Sequence, residues 1–353
     1  MSGSVDPNLF ANCTVETCPL STSYYNYRID LASNATFVGL FAAALLWFLA
    51  AWIWTRRGFW FSVAMELGLA AELIGYAARI FSWKNQWDQN AFLAQIVCIT
   101  IGPAFLSAGI YLCLARIVSV YGESNSRIPP KWYTRTFIPC DVVSLCLQAV
   151  GGIIASVALQ NGDSLTTGDN IMIAGLATQV FTLLVFITLC ADFALQVHRR
   201  QRQLGADVAL TQEPGLVKIR TSWQFKGFMA GLGLATILIF WRSAYRVAEL
   251  NQGWTGPITF NQGLFTGMEP VLITVAVYAL VIFHPSFCLG EAMGERKLVP
   301  YGSKSGSQNL HVAQTEGDRT PESPRAAPVD PSQAGDSEPN ETGVEKTTPQ
   351  VQV

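Results

Sequence analysis

Seven apolar blocks, each about as long as a membrane-spanning helix, alternate with short polar stretches along this chain. They lie at residues 35–54, 59–81, 92–120, 137–159, 171–197, 228–250 and 264–283. A helix needs about 20 apolar residues to cross roughly 30 Å of hydrocarbon. Runs such as LFAAALLWFLAAW and QVFTLLVFITLCADFAL are apolar on every face, unlike the one-sided helices of soluble proteins. The shorter, alternating segments of a membrane barrel are absent. The pattern predicts an all-α integral membrane bundle of seven transmembrane helices.

Lysine and arginine then orient the bundle. Arg56 and Arg57 follow the first block; Arg127, Lys131 and Arg135 follow the third. Arg199, Arg200, Arg202, Lys218, Arg220 and Lys226 follow the fifth. The second loop has Lys84 alone, and the fourth and sixth have neither Lys nor Arg. Cytosolic loops retain positive charge, so the N-terminus is expected outside and the C-terminus in the cytosol. Trp83, Trp87 and Trp254 then belong to the outer interface, and Trp54, Trp60, Trp132 and Trp223 to the inner one.

Three regions follow: an extracellular tail over 1–34, the seven-helix domain over 35–285 and a cytosolic tail over 286–353. The last is rich in Pro, Ser, Gly and acidic residues and is expected to be disordered. No basic n-region precedes an apolar h-region at the N-terminus, so the first block is expected to serve as both signal and span. Asn12 and Asn34 head outer sequons. Asn34 abuts the first span and is expected to escape modification, which leaves Asn12. Asn340 would be cytosolic and unmodified. Cys13 and Cys18 could oxidise to a small loop outside the cell or stay two thiols, since two cysteines make no framework.

Composition agrees. Half of the 353 residues are apolar and 14% are charged, against about 25% charged in soluble domains. A net charge of -2 supplies no basic stripe, so no nucleic-acid partner is expected.

The chemistry lies in polar residues placed where they are costly. Glu66, Glu72 and Arg79 fall in the second block, Arg116 in the third, and Asp141, Ser144 and Gln148 in the fourth. Gln179 falls in the fifth, Arg242, Arg246 and Glu249 in the sixth, and Glu269 in the seventh. At roughly 2.5–3.5 kcal/mol each, about eight charges facing lipid would cost about 20–28 kcal/mol. That exceeds a typical domain's whole stability of about 5–15 kcal/mol. They must pair with one another or line a wet interior. Glu72, Tyr76 and Arg79 share a helix face, as do Arg242, Tyr245, Arg246 and Glu249. In the expected orientation Arg79, Arg242, Arg246, Glu249 and Glu269 form an outer layer, and Glu66, Arg116 and Asp141 an inner one of mixed sign. Two readings stand: pairs that only hold the bundle together, or a cavity that binds or moves a ligand. Arg116, near the inner end, could simply snorkel. Gly102-Pro103 and Glu269-Pro270 could kink their helices or be plainly tolerated.

Enzyme chemistry finds little support. The phosphate-cradling Gly-x-x-x-x-Gly-Lys loop and the Gly-x-Ser-x-Gly elbow are absent. His198, His284 and His311 are scattered rather than clustered as metal ligands. No cofactor is expected.

The polar stripes resemble those of the fungal lipid-translocating exporters, the RTA-like membrane proteins. Glu72-Leu73-Ile74-Gly75-Tyr76-Ala77-Ala78-Arg79 is similar to that family's Glu-x-x-Gly-Tyr-x-x-Arg. Asp141, Ser144, Gln148, Gly151 and Gly152 match its fourth-span stripe. Gly102-Pro103 through Arg116, Gly175 with Gln179, and Arg242-Ser243-x-Tyr245-Arg246-x-x-Glu249 with Gly253 and Gly256 fit the remaining spans. The resemblance covers about residues 24–285. It departs at Asn261-Gln262, where the family usually has His-Glu, at Glu269, where it tends to carry Asp, and at Ala115, where it tends to carry Gly.

The resemblance implies a plasma-membrane carrier that moves amphipathic lipids, with sphingoid long-chain bases or sterol-like amphiphiles as candidates. Acidic groups would hold an ammonium head and arginines would engage hydroxyl or phosphate groups. The alternative is a seven-helix lipid sensor that signals through its basic third cytosolic loop and its tail. Leu114-Ala115-Arg116 lacks the acid before the arginine, and the seventh block lacks Asn-Pro-x-x-Tyr, so the usual G-protein-receptor signatures are missing.

Overall fold

The computed structural model describes residues 13–122, 125–161, 163–210, 212–252 and 261–293. Among them seven helices are long and apolar enough to cross a membrane. They are α1 (Leu31–Thr55), α2 (Phe59–Lys84), α3 (Gln89–Tyr121), α4 (Pro130–Asn161), α5 (Thr166–Leu204), α6 (Trp223–Asn251) and α7 (Gln262–Cys288). Strands are absent among the described residues. The chain is an integral, multi-pass membrane protein. Asn12, Trp254, Asn340 and the expected C-terminal tail beyond Met293 lie outside the described residues.

Local chemistry sets the helix ends. Asp30 caps α1 by accepting from Ser33 N at 3.0 Å, and Asp88 caps α3 by accepting from Asn90 N at 2.9 Å. Ser222 caps α6 and Asn261 caps α7 in the same way. Arg56 and Gly58 adopt left-handed φ of 52° and 69°, which reverses the chain between α1 and α2 within three residues.

Within residues 13–293 each span packs on its neighbours in sequence, and α7 closes back onto α1. The third helix also reaches α6 and is the most enclosed of the seven. Small residues let backbones meet where no hydrophobic drive operates between helices in lipid. A Cβ on Gly68 would stand 3.0 Å from the Gly102 carbonyl oxygen, and one on Gly168 only 2.5 Å from Ala155 N. Outward positions such as Leu46, Ile74, Phe81, Ile153, Phe181 and Ile282 are large, apolar and exposed, as a lipid-facing surface requires.

The two interior prolines act differently. The third helix runs unbroken through Pro103, whereas Pro270 sits in a π-helical turn, Gly267–Val271, inside α7. Trp54, Trp60, Trp132 and Trp223 are exposed together at the end of the bundle opposite the N-terminal segment. Trp87, by contrast, is enclosed by protein. It is buried beneath the N-terminal segment and donates from Nε1 to Thr22 Oγ1 at 3.2 Å.

Candidate functional site

The charged centre is built by α2, α3, α6 and α7. Glu269, presented by the π turn, accepts from Arg242 Nε at 3.0 Å and lies 2.8 Å from Arg242 Nη2. Its other oxygen lies 3.1 Å from Arg246 Nε, an ionic contact outside hydrogen-bonding geometry. Arg246 also donates to Glu249, one turn further along α6. Arg242 Nη2 donates to the Ile99 carbonyl at 2.6 Å. That carbonyl would ordinarily receive the N–H of residue 103, and proline has none. Pro103 therefore frees an acceptor that ties α3 to α6.

Glu72 faces the same centre from α2. It is 1% exposed, and neither carboxylate oxygen has a hydrogen-bond partner. It stands within Coulombic range of Arg242, Glu269 and Arg246. A Cβ on Gly102 would come within 2.8 Å of Glu72 Oε1, so only glycine leaves the carboxylate its space. Tyr76, on the same face, is fully buried with an unpartnered hydroxyl.

The N-terminal segment covers one end of this centre. Arg79 Nη2 donates to Tyr27 OH at 2.6 Å. Its guanidinium lies 4.1 Å from the Phe265 ring centre, with Tyr25 and Tyr27 also in cation–π range. Tyr25 OH donates to Gln95 Oε1 at 2.7 Å. Burial pushes the Tyr25 hydroxyl up to about 12, so it stays a neutral donor at ordinary pH. Gln262, with its amide turned to satisfy both partners, donates to the Arg28 carbonyl and accepts from Asp30 N. Cys13 and Cys18 are joined in a disulfide at the start of the described segment.

A second polar station joins α3, α4 and α5. Asp141 accepts from Ser107 Oγ at 3.1 Å and from Thr182 Oγ1 at 3.2 Å. About two turns along α4, Gln148 Nε2 donates to Gln179 Oε1 at 3.1 Å, and Gln148 Oε1 is buried without a partner. Gly175 makes room, since a Cβ there would meet Gln148 Cγ and the Ser144 carbonyl at 2.8 Å. Ser144 itself bonds only its own helix, to the Cys140 carbonyl.

Comparison with known proteins places this arrangement. Residues 65–292 match the family described as RTA1 like protein. The chain belongs to that family. It is 34% identical over 250 residues to the sphingoid long-chain base transporter RSB1 of Saccharomyces cerevisiae, covering 65% of each chain. It is 30% identical over 221 residues to Protein RTM1 of the same species, covering 62% of this chain and 66% of that one. To protoporphyrin uptake protein 1 of that yeast it is 30% identical over 219 residues, covering 61% and 66%. The match thus spans just under two thirds of these relatives. No solved structure matches the chain.

In this RTA1-like protein the expected outer layer divides. Arg242, Arg246, Glu249 and Glu269 do meet, and Glu72 joins them, but Arg79 turns to aromatic rings and a tyrosine hydroxyl. Among the described residues no carboxylate lies within ion-pair distance of it. In the expected inner layer, Asp141 is held by hydroxyls of α3 and α5. Glu66 is half-buried, with one oxygen lacking a hydrogen-bond partner, and Arg116 lies beside Cys113. Asn34 is buried in the first turn of α1, its amide donating to the Asp30 carbonyl at 2.5 Å. Sequence reasoning missed Tyr25, Tyr27, Gln95, Ser107 and Thr182. Ser107 and Thr182 carried a signal as hydroxyls inside apolar blocks; the tail tyrosines carried none, because their partners lie 50 or more residues away.

Proposed function

We propose that this protein is a seven-helix carrier, not an enzyme, which moves or exports amphipathic lipids through its charged interior, with sphingoid long-chain bases as its foremost substrates. Glu72 carries this reading. It is a carboxylate enclosed on all sides, with both oxygens free of hydrogen bonds, beside two arginines already engaged elsewhere. A buried acceptor left open in this way is costly. An ammonium head group or a proton would satisfy it. Glu249 and Glu269 add negative charge, while Arg79, Arg242 and Arg246 balance the centre and offer donors to hydroxyl or phosphate groups. Asp141, with Ser144 one turn on and the Gln148–Gln179 pair about two turns on along α4, is a second station between α3, α4 and α5.

The relationship to RSB1 supports a lipid base as substrate, and the plasma membrane as host follows from the family resemblance. The basic loops and the Cys13–Cys18 disulfide support an N-terminus outside the cytosol and a C-terminus within it.

Purified protein in liposomes, supplied with a fluorescent sphingoid base with and without a pH gradient, tests the proposal. Wild type should move the base between leaflets, and Glu72→Gln should abolish movement while membrane insertion stays normal. Binding without movement by wild type would favour a lipid sensor instead. Undiminished movement by Glu72→Gln would remove the role assigned to that acid.

A further inference from the structure

Outside the ion-paired centre, an apolar groove of about 440 Å³ lies between α3 and α4, reaches α5 and opens on the lipid-facing side, where Ile153 and Val97 are exposed. Ile96 and Val97 of α3, Leu145 and Ile153 of α4 and Met172 of α5 are among its walls. Polar side chains interrupt this lining, Thr100, Gln148 and Ser156 among them. Thr100, 6% exposed, and Gln148, 5% exposed, each present a buried oxygen without a hydrogen-bond partner. The α4 wall runs over residues 145–157, about 18 Å at 1.5 Å per residue. That is close to one leaflet of a hydrocarbon core roughly 30 Å thick.

A second, smaller pocket of about 60 Å³ adjoins it. Arg79, Gln95, Arg246 and Glu249 line it together with aromatic rings of the N-terminal segment. The two spaces share Tyr24, Phe92 and Ile96 as a common wall, and Tyr24 stacks on Phe92 with ring centres 4.9 Å apart. An apolar groove one leaflet long thus ends beside a compact pocket holding an acid and two arginines. This is the outline of a single-chain amphiphile.

We propose that the α3–α4 groove is the hydrocarbon-chain subsite of a single-chain amphiphile whose polar head occupies the Arg79–Arg246–Glu249 pocket, with the Tyr24–Phe92 stack as the seam between them. The proposal rests on the transport reading above and assigns its substrate a place. A chain that leaves lipid for a protein groove gains no hydrophobic free energy. The groove therefore supplies fit and orientation, and the polar pocket supplies affinity. Thr100 and Gln148 lie towards the other end of the groove from the Tyr24–Phe92 seam. One groove of this length takes one chain and discriminates against two-chain lipids.

Full-length protein in nanodiscs, exposed to a sphingoid base with a mid-chain diazirine, tests the assignment. After irradiation, crosslinks should fall on residues 92–101 and 145–157, and unlabelled base should compete them away. Gly152→Phe should reduce their yield by about tenfold, the scale on which overpacking a filled site discriminates. A Cβ on Gly152 meets only Met172 Sδ, at 3.9 Å, so the ring can enter the groove. Crosslinks spread evenly over all lipid-facing helices, or gathered in a separate recess lined by Ile117 of α3, Phe186 of α5 and Met229 of α6, would overturn the proposal. So would an unchanged yield in Gly152→Phe. The wild-type map decides even if that variant fails to fold. Movement of the base in liposomes, measured alongside, separates the two readings. Transport with crosslinks elsewhere removes only the groove, and groove crosslinks without transport remove only the carrier.

Discussion

Glu269 is the acid on which two arginines converge, so neutralising it should harm the bundle more than deleting an entire ion pair. In Glu269→Gln, Arg242 loses its carboxylate partner and Arg246 keeps only Glu249. Opposite charges about 4 Å apart interact by about 4 kcal/mol at an effective dielectric near 20. Breaking one side of a buried pair typically costs about 3–5 kcal/mol, and Arg242 and Glu269 are both almost wholly enclosed, at 3% and 1% side-chain exposure. Against a stability of about 5–15 kcal/mol, the melting temperature should fall by about 6–20 °C. The double variant Arg242→Met/Glu269→Leu leaves the net charge unchanged and Arg246 still paired with Glu249. Its main loss is the donor to the Ile99 carbonyl, worth about 1–3 kcal/mol. Thermal unfolding of the detergent-purified proteins, followed by tryptophan fluorescence, should therefore rank the double variant above Glu269→Gln. If the double variant costs as much as the two single ones together, the ion-pair account of this centre is wrong.

Asp141→Asn should cost about 1–3 kcal/mol, because one of two hydroxyl donors loses its carboxylate acceptor. A double-mutant cycle with Ser107→Ala should show a coupling of about 0.5–3 kcal/mol, and additive losses would mean that the Ser107–Asp141 bond ties nothing together. Tyr27→Phe removes the acceptor from Arg79 but keeps the ring, so the N-terminal segment should loosen while the bundle holds. Hydrogen exchange over residues 13–30 should quicken by about tenfold with the melting temperature unchanged; equal protection in both proteins would show that the Arg79–Tyr27 bond does not hold the segment.

Much of this architecture was legible in the amino-acid order, and the reason is the bilayer. A segment that must satisfy its own backbone polar groups in hydrocarbon has little choice but a helix, so apolar length alone announced seven spans and their approximate ends. The same cost made Glu72, Asp141, Arg242, Arg246, Glu249 and Glu269 conspicuous, and all six face inward. Which of them touch was another matter, because helical spacing states which residues share a face and not which face lies opposite. Glu72 and Arg79 share a face seven residues apart, yet one reaches the ionic centre and the other an aromatic cage supplied by the tail. Asp141 looked like half of an ion pair and is held by hydroxyls from α3 and α5. Pro103 could be a kink or a tolerated proline by sequence, and it leaves the Ile99 carbonyl open to Arg242, 143 residues away. Asn261 and Gln262, which depart from the family's usual His-Glu, cap α7 and fasten the N-terminal segment. Those pairings were decided by how the helices rotate and slide against one another, a result of packing at close-approach glycines that a list of residues does not contain.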